Sequence, residues 1–242
     1  CRSSSLMRNL KNWDNNTWLS SKKYIFSLNN FINKNIQLKK SSKILDIGCG
    51  RAHLISFLNR KYKFNDKPIG IDIVKNKGIR KGVKFKKIDA IRFLKQTNEI
   101  FDLIIIKQTI HFFSKKKIQK LIRLTKLRLN KNGLIYIMSL DTKKNEIPCF
   151  LIMKKAFEKG LRRDREILYF LRKQLKKFIE KKFIFKVSIK KNNYIRMLKN
   201  RYISCLLKIP KNKIISGVNE ISKKYKNEIV FRDKLICLIY KR

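Results

Sequence analysis

The stretch from Lys43 to Asp72, KILDIGCGRAHLISFLNRKYKFNDKPIGID, constrains the fold more than any other part of the chain. A short apolar run, Ile44 to Ile47, carries Asp46 and stops at two glycines, Gly48 and Gly50. Leu54, Ile55 and Leu58 then recur at helical spacing, and a second apolar run closes on Asp72. Such a short apolar run before a turn reads as a buried strand, and glycine lets the backbone turn where a side chain would collide with a ligand. A strand, a glycine loop and a helix N-terminus in that order bind nucleotides in doubly wound folds. The expected fold class is therefore α/β, a Rossmann-like doubly wound sheet.

Two chemistries use this arrangement, and the small residues separate them. A dinucleotide fingerprint needs its third small residue at position 53, where the backbone packs on the helix, and His53 stands there. The spacing acid, any residue, Gly, any residue, Gly, any residue, small fits Asp46, Gly48, Gly50 and Ala52 instead. It resembles the first motif of the class I S-adenosylmethionine-dependent methyltransferases, with Ala52 where that family usually has its last glycine. Later segments resemble the rest of the family pattern, in order and spacing, over residues 40–142. Ile69 to Ile73 resembles the second strand, and VKFKKIDAIRF the third, running into the adenine-side motif. FDLIIIKQTIHFF, residues 101–113, resembles the fourth strand and the loop that faces the transferred methyl. NGLIYIMSL, residues 132–140, follows a helical stretch from Lys115 to Leu129 and resembles the fifth.

The resemblance implies a set of cofactor contacts. It assigns Asp46, Gly48, Cys49 and Gly50 to the glycine loop, Asp72 to the ribose hydroxyls, and Ile73 beside it to the cofactor contacts. At Asp89 the carboxylate accepts from the exocyclic amine of adenine, while the Ala90 amide faces the ring. Lys107 falls near the cofactor carboxylate or a substrate anion.

Composition bears on this through the acids. The chain has 62 Lys and Arg against 16 Asp and Glu, and four of those carboxylates, Asp46, Asp72, Asp89 and Asp102, fall inside the motifs. Asp102, opening the fourth strand, reads as a structural contact. The formal net charge of +46 attracts any polyanion at low salt. A+T-rich coding also yields chains heavy in Lys, Asn and Ile, but it does not account for scarce Glu, whose codons are A-rich too. The lysines are spread along the chain rather than gathered in one block. The length of 242 residues, 43% apolar, suits a single α/β domain. No apolar run is long enough to span a bilayer. Five dispersed cysteines, Cys1, Cys49, Cys149, Cys205 and Cys237, lack metal-ligand spacing and fit a reducing compartment, so a cytoplasmic location and no metal are expected.

The chain divides into a helical leader or lid over residues 1–40, a binding core over 41–142, and helical cap insertions with closing strands over 143–242. The leader carries Trp13, Trp18, Tyr24, Phe26 and Phe31. In similar methyltransferases such a leader folds over the cofactor, which makes Trp18 and Tyr24 candidate substrate contacts; packing on the sheet is the commoner fate of an aromatic stripe. Residues 150–181 read as helix, 182–190 as strand, 191–224 as helix broken at Pro210, and Glu228 to the end as a strand closing an antiparallel pair. The segment NRYIS resembles an arrangement in bacterial small-molecule methyltransferases with a type 11-like domain, which adds Arg201 and Tyr202 as substrate candidates.

Methyl transfer from a sulfonium has a good leaving group, so alignment and exclusion of water are the main requirements. Where the acceptor is a hydroxyl or carbon acid a base helps, and His111 is the better placed of two histidines. A loop histidine that bonds locally is the competing reading. Gln108 and Thr109 are candidates to orient the acceptor. Amino-directed nucleic-acid enzymes hold an acid or Asn before a Pro-Pro-aromatic turn after strand four, and Lys107, Gln108 and Thr109 fill that slot here. Cys149, after strand five, reads as structural. The sequence thus reads as a methyltransferase that uses S-adenosylmethionine on a small, anionic molecule. The alternatives are an RNA methyltransferase that uses the basic surface, and a protein that binds the cofactor without turnover.

Overall fold

The computed structural model describes residues 17–242, so Trp13 lies outside the described residues. Its strands are β1 (Ile44–Ile47), β2 (Ile69–Asp72), β3 (Lys84–Lys87), β4 (Phe101–Lys107), β5 (Leu129–Leu140), β6 (Ile179–Lys190) and β7 (Glu228–Lys241). They form one sheet in the order β3-β2-β1-β4-β5-β7-β6. β1 to β5 pair in parallel, and β7 is antiparallel to both β5 and β6. The doubly wound sheet with an antiparallel C-terminal pair is therefore present as the sequence implied.

The helices are α1 (Lys22–Asn33), α2 (His53–Tyr62), α3 (Ala90–Gln96), α4 (Lys115–Leu127), α5 (Leu151–Leu175), α6 (Lys191–Lys199) and α7 (Lys211–Lys224). Because a strand alternates its faces, the apolar runs split between two cores. Ile44, Leu103, Ile105, Tyr136 and Met138 face α1, α2, α6 and α7, while Leu45, Ile47, Ile104, Ile106, Ile135 and Ile137 face α3, α4 and the end of α5. Covering both faces explains why these strands read as continuous apolar runs rather than as alternating ones.

The 25 residues of α5 span about 37 Å at the usual rise per residue. Its first turns, with Met153 and Phe157, belong to one core, and its last, with Ile167, Leu168, Leu171 and Leu175, to the other. The helix therefore passes from one face of the sheet to the other, and its middle is free to line a cavity. Pro210 stands at the N-cap of α7, the place in a helical stretch where proline costs nothing.

Among the described residues the leader holds a 3-10 turn at Trp18–Ser20 and α1, which Ser21 caps by accepting from the Tyr24 amide at 3.2 Å. Tyr24 is fully buried, edge-on to Phe183 and Phe185, and Phe31 meets Phe183 in the same way. Tyr136 also donates to the Ile32 carbonyl at 3.0 Å, which anchors α1 to β5. Packing on the sheet thus accounts for Tyr24 and Phe31. No helix among the described residues is long and apolar enough to cross a membrane.

Strand ends differ from the sequence expectation by a few residues. β5 begins at Leu129, not 132, because Leu129 pairs with Phe101 ahead of a register shift. β6 begins at Ile179, not 182, because pairing with β7 carries through the polar stretch down to Ile179 opposite Ile239. Asp102 is a structural contact as expected: it accepts from the Lys43 amide and from Asn130 Nδ2, both at 2.8 Å.

Candidate active site

In this strand order successive strands are added on one side of β1 as far as β3 and on the other side from β4, so the loops after β1 and β4 part and leave a crevice at the carboxyl edge. A cavity of about 430 Å³ lies there, lined by residues that follow β1, β2, β3 and β4. The loop after β1 is built for close approach. Gly48 and Gly50 have φ of +74° and +56°, and a Cβ on Gly48 would stand 2.2 Å from Thr109 Oγ1. The Gly48 and Cys49 amides both donate to the Ile71 carbonyl, at 2.8 and 3.1 Å. Ala52 takes a left-handed φ of 59° at the N-cap of α2, which explains why a glycine is natural at that position.

Three carboxylates reach this cavity from three strand ends. Asp72 Oδ2 accepts from the Gly50 amide at 2.9 Å and Oδ1 from the Val74 amide at 3.0 Å, so it ties the glycine loop to the end of β2. Asp89 caps α3, its Oδ1 accepting from the Ile91 and Arg92 amides at 2.9 and 3.1 Å. Asp46 is 4% exposed. Burial raises its pKa to about 7, opposed by Lys107 and supported by Asp72. Lys107, at the end of β4, also lies 5.9 Å from the centre of the Tyr24 ring.

A second cavity of about 1090 Å³ shares Leu19, Gln108 and Phe112 with the first. The middle of α5, the segment from Tyr202 to Ile209, and Trp18 enclose it. Trp18 stands edge-on to Tyr202 and Phe231, at 5.2 and 5.1 Å between ring centres. The Tyr202 hydroxyl lies 3.0 Å from that of Tyr194, which donates to the Pro148 carbonyl at 2.5 Å.

The structure brings most of the sequence candidates to these two cavities. Asp46, Gly48, Cys49, Gly50, Asp72, Ile73, Asp89, Ala90 and Lys107 line the first, Trp18, His111 and Tyr202 the second, and Gln108 both. Two candidates lie elsewhere among the described residues. Tyr24 lines neither cavity. Arg201 donates to the carbonyls of Leu206 and Leu207, at 3.2 and 2.8 Å, and so holds the turn that follows it. Cys149 donates to the Ile147 carbonyl at 3.3 Å, and burial pushes its thiol up to about 12, which leaves it inert at neutral pH.

His111 packs against Phe112, ring centres 4.1 Å apart. Burial holds its pKa down at about 4, despite an opposing pull from Asp164. Its Nε2 is enclosed without a hydrogen-bond partner. Gln108 has a positive φ of 51°, a strained conformation at the point where the cavities meet.

Sequence reasoning did not single out Lys159, Arg162 and Lys208, which line the second cavity, or Asp233 on its wall. Their signal is tertiary, since α5 and the turn before Pro210 meet only once the chain has folded.

A family profile described as a methyltransferase domain matches residues 38–200. The chain belongs to the methyltransferase domain family. No curated protein matches it. Among solved structures, an N-methyltransferase, NodS, from Bradyrhizobium japonicum in complex with S-adenosylhomocysteine is 13% identical, with 99% of this chain and 97% of that chain covered and a TM-score of 0.53. A SAM-dependent methyltransferase from Geobacter sulfurreducens, also bound to S-adenosylhomocysteine, is 11% identical, with 100% and 98% covered and a TM-score of 0.54. One from Archaeoglobus fulgidus is 19% identical, with 91% and 94% covered and a TM-score of 0.51. At these identities the likeness establishes the fold. In this methyltransferase the family profile extends through the cap as far as Asn200, so α5 and α6 fall within the matched span and not only the strands of the core.

Proposed function

We propose that the chain is an S-adenosylmethionine-dependent methyltransferase acting on a small, anionic acceptor. The observation that carries this is the pair of adjoining cavities, one ringed by carboxylates from three strand ends and the other edged by cations.

The residues fit the cofactor. Asp46 is buried with its ionised form disfavoured, which is the state an incoming ammonium group would relieve. Asp89 commits only Oδ1 to the helix cap, which leaves Oδ2 for an exocyclic amine. Asp72 is fixed at the cavity edge by two backbone amides, which sets its carboxylate where the ribose hydroxyls would lie. Both glycines keep side chains out of the crevice. When bound, S-adenosylmethionine supplies a methyl group on a positively charged sulfur. This chain's residues then have to align an acceptor and exclude water, and Gln108 and Phe112 stand where the two cavities join.

His111 fits orientation better than proton abstraction. With its pKa held near 4 it is neutral and only weakly basic at neutral pH, which suits a side chain that shapes the cavity wall better than one that takes up a proton. The anionic character of the acceptor rests on Lys159, Arg162 and Lys208, whose side chains make no hydrogen bond or ion pair among the described residues. Arg163 is spent on Asp164, which it grips at 2.9 and 2.7 Å.

Calorimetric titration with S-adenosylhomocysteine tests the cofactor assignment. The parent protein should release heat and melt at a higher temperature. Asp72→Ala should weaken binding by about 1 to 3 kcal/mol, the worth of a hydrogen bond to a charged group. Absence of heat with the parent, or parental affinity in the variant, would reject the assignment.

A further inference from the structure

The chain holds only 8 glycines, and all but one have a reason in the backbone or the packing. Gly48, Gly50, Gly78 and Gly82 take a positive φ, which a side chain resists. At Gly70, Gly133 and Gly217 a Cβ would fall 2.8, 3.0 and 2.2 Å from a neighbouring atom. Gly160 has neither reason. It stands inside the 25-residue helix α5, its φ is not positive, and a Cβ there would meet nothing within 4 Å.

Glycine in a helix interior is less stable than alanine, because it loses more backbone freedom on folding. At Gly160 no protein atom is accommodated in return, so the space it leaves is open to something outside the chain. That space belongs to the second cavity, which Gly160 lines. Bare helix backbone lets a ligand approach more closely than any side chain would permit. One missing side chain leaves a shallow slot between its neighbours, a shape that suits a flat body.

Two further features of the same cavity bear on the occupant. Its volume of about 1090 Å³ stands at the upper end of the roughly 300 to 1,000 Å³ of ordinary small-molecule sites, far more than a compact anion fills. Lys159, Arg162 and Lys208 supply positive charge, while Phe157 and Leu161 add apolar surface to its lining.

We propose that Gly160 is a specificity-determining residue: the methyl acceptor is a bulky anion whose flat, ring-bearing part packs on α5 where Gly160 leaves the helix bare. Its anionic group is held by Lys159, Arg162 and Lys208. This rests on the methyltransferase reading above and adds to it the size and shape of the acceptor.

Phenyl phosphate and 2-naphthyl phosphate share the anionic group and differ by one fused ring. Each is titrated calorimetrically into protein saturated with S-adenosylhomocysteine, at physiological salt to screen diffuse binding to the basic surface. The parent should bind 2-naphthyl phosphate roughly tenfold tighter, the gain expected when the apolar area of one more ring leaves water. Gly160→Leu fills the slot. It should weaken 2-naphthyl phosphate roughly tenfold and change phenyl phosphate by no more than about twofold, so that the preference disappears. Gly160→Ala should fall between the two, and Arg162→Ala should weaken both probes. S-adenosylhomocysteine should bind both Gly160 variants as it binds the parent, because Gly160 does not line the first cavity.

The melting temperature separates a binding role from a structural one. Without ligand, Gly160→Ala should melt as high as the parent or higher, since it gains helix propensity and meets no neighbour. A glycine kept for folding predicts a lower one. Equal binding of the two probes by the parent, binding of neither, a preference that survives in Gly160→Leu, or a fall in the melting temperature of Gly160→Ala each overturns the inference. Failure of the parent to bind S-adenosylhomocysteine at all rejects the underlying reading as well. Normal binding of that compound by the parent with any of the other adverse results rejects the Gly160 assignment alone.

Discussion

At the scale of single residues, two buried groups pull stability in opposite directions with pH. Asp46 has its pKa raised by burial to about 7, above its ordinary value of 3.8. The folded state therefore holds that proton more tightly than the unfolded chain, and the stability it contributes is full below about pH 4 and lost as pH rises through 7. His111 is lowered from 6.5 to about 4. Its contribution is present above pH 6.5 and lost as pH falls towards 4. Between pH 4 and 6.5 the two oppose each other in the ligand-free parent. Asp46→Asn removes one of them, so its melting temperature should fall more steeply on acidification than that of the parent.

Ligand binding gives the same residue a second signature. An ammonium group that pairs with ionised Asp46 must displace a proton below about pH 7. Affinity for S-adenosylhomocysteine should therefore weaken by up to about tenfold per pH unit below 7 and level off above it. Asp46→Asn should bind more weakly at pH 8 and lose this slope; a slope that persists in the variant assigns the pH dependence to another group.

Asp46 and Asp72 were legible in the sequence because each ends or interrupts a short apolar run, and Asp89 because it follows the strand-like stretch VKFKKI; the ends of such stretches converge at one sheet edge. Asp233 was not, because in EIVFRDKLICLIY it reads as one polar residue in a strand. Only the insertion of β7 between β5 and β6 brings it to the second cavity. Arg201 misled for a related reason: nothing in NRYIS shows that the turn after it leaves carbonyls for its guanidinium to satisfy.

At the scale of elements, the cap depends on how α7 meets α5. A Cβ on Gly217 would fall 2.2 Å from the ring of Phe150, which is 2% exposed and forms the N-cap of α5. Alanine would favour the helix by about 1 kcal/mol on propensity alone. Overpacking at a buried ring costs about 1 to 3 kcal/mol, so the clash should win. Gly217→Ala should lower the urea midpoint of unfolding, and a small rise would show that the α5 to α7 contact yields freely. Gly160 is the control, since a Cβ there meets nothing within 4 Å, and Gly160→Ala should be neutral or stabilising. The helix pattern in this region was legible from its apolar spacing, including the break at Pro210. The passage of α5 across the sheet edge was not, because its apolar residues keep helical spacing throughout while the core they join changes.

At the scale of the whole molecule, the imbalance of 62 basic against 16 acidic side chains sets both stability and partners. Like charges repel in the compact state, and salt screens that repulsion over a length of about 10 Å at 0.1 M. The melting temperature should therefore rise as salt is added from low concentration. Binding of transfer RNA should move the opposite way. Association driven by phosphate contacts releases counterions, so its affinity falls steeply with salt. If the acceptor is a small molecule in the second cavity, a gel shift with transfer RNA seen at low salt should vanish near physiological salt, while S-adenosylhomocysteine binding changes little. The two responses separate the basic surface from the basic rim of the cavity. Lys159, Arg162 and Lys208 are a small part of the total charge, and replacing them should leave the low-salt gel shift nearly intact while weakening the binding of a small anionic acceptor. Transfer RNA binding that persists at physiological salt and falls with those three residues would make RNA the acceptor, with the cavity rim as its point of entry.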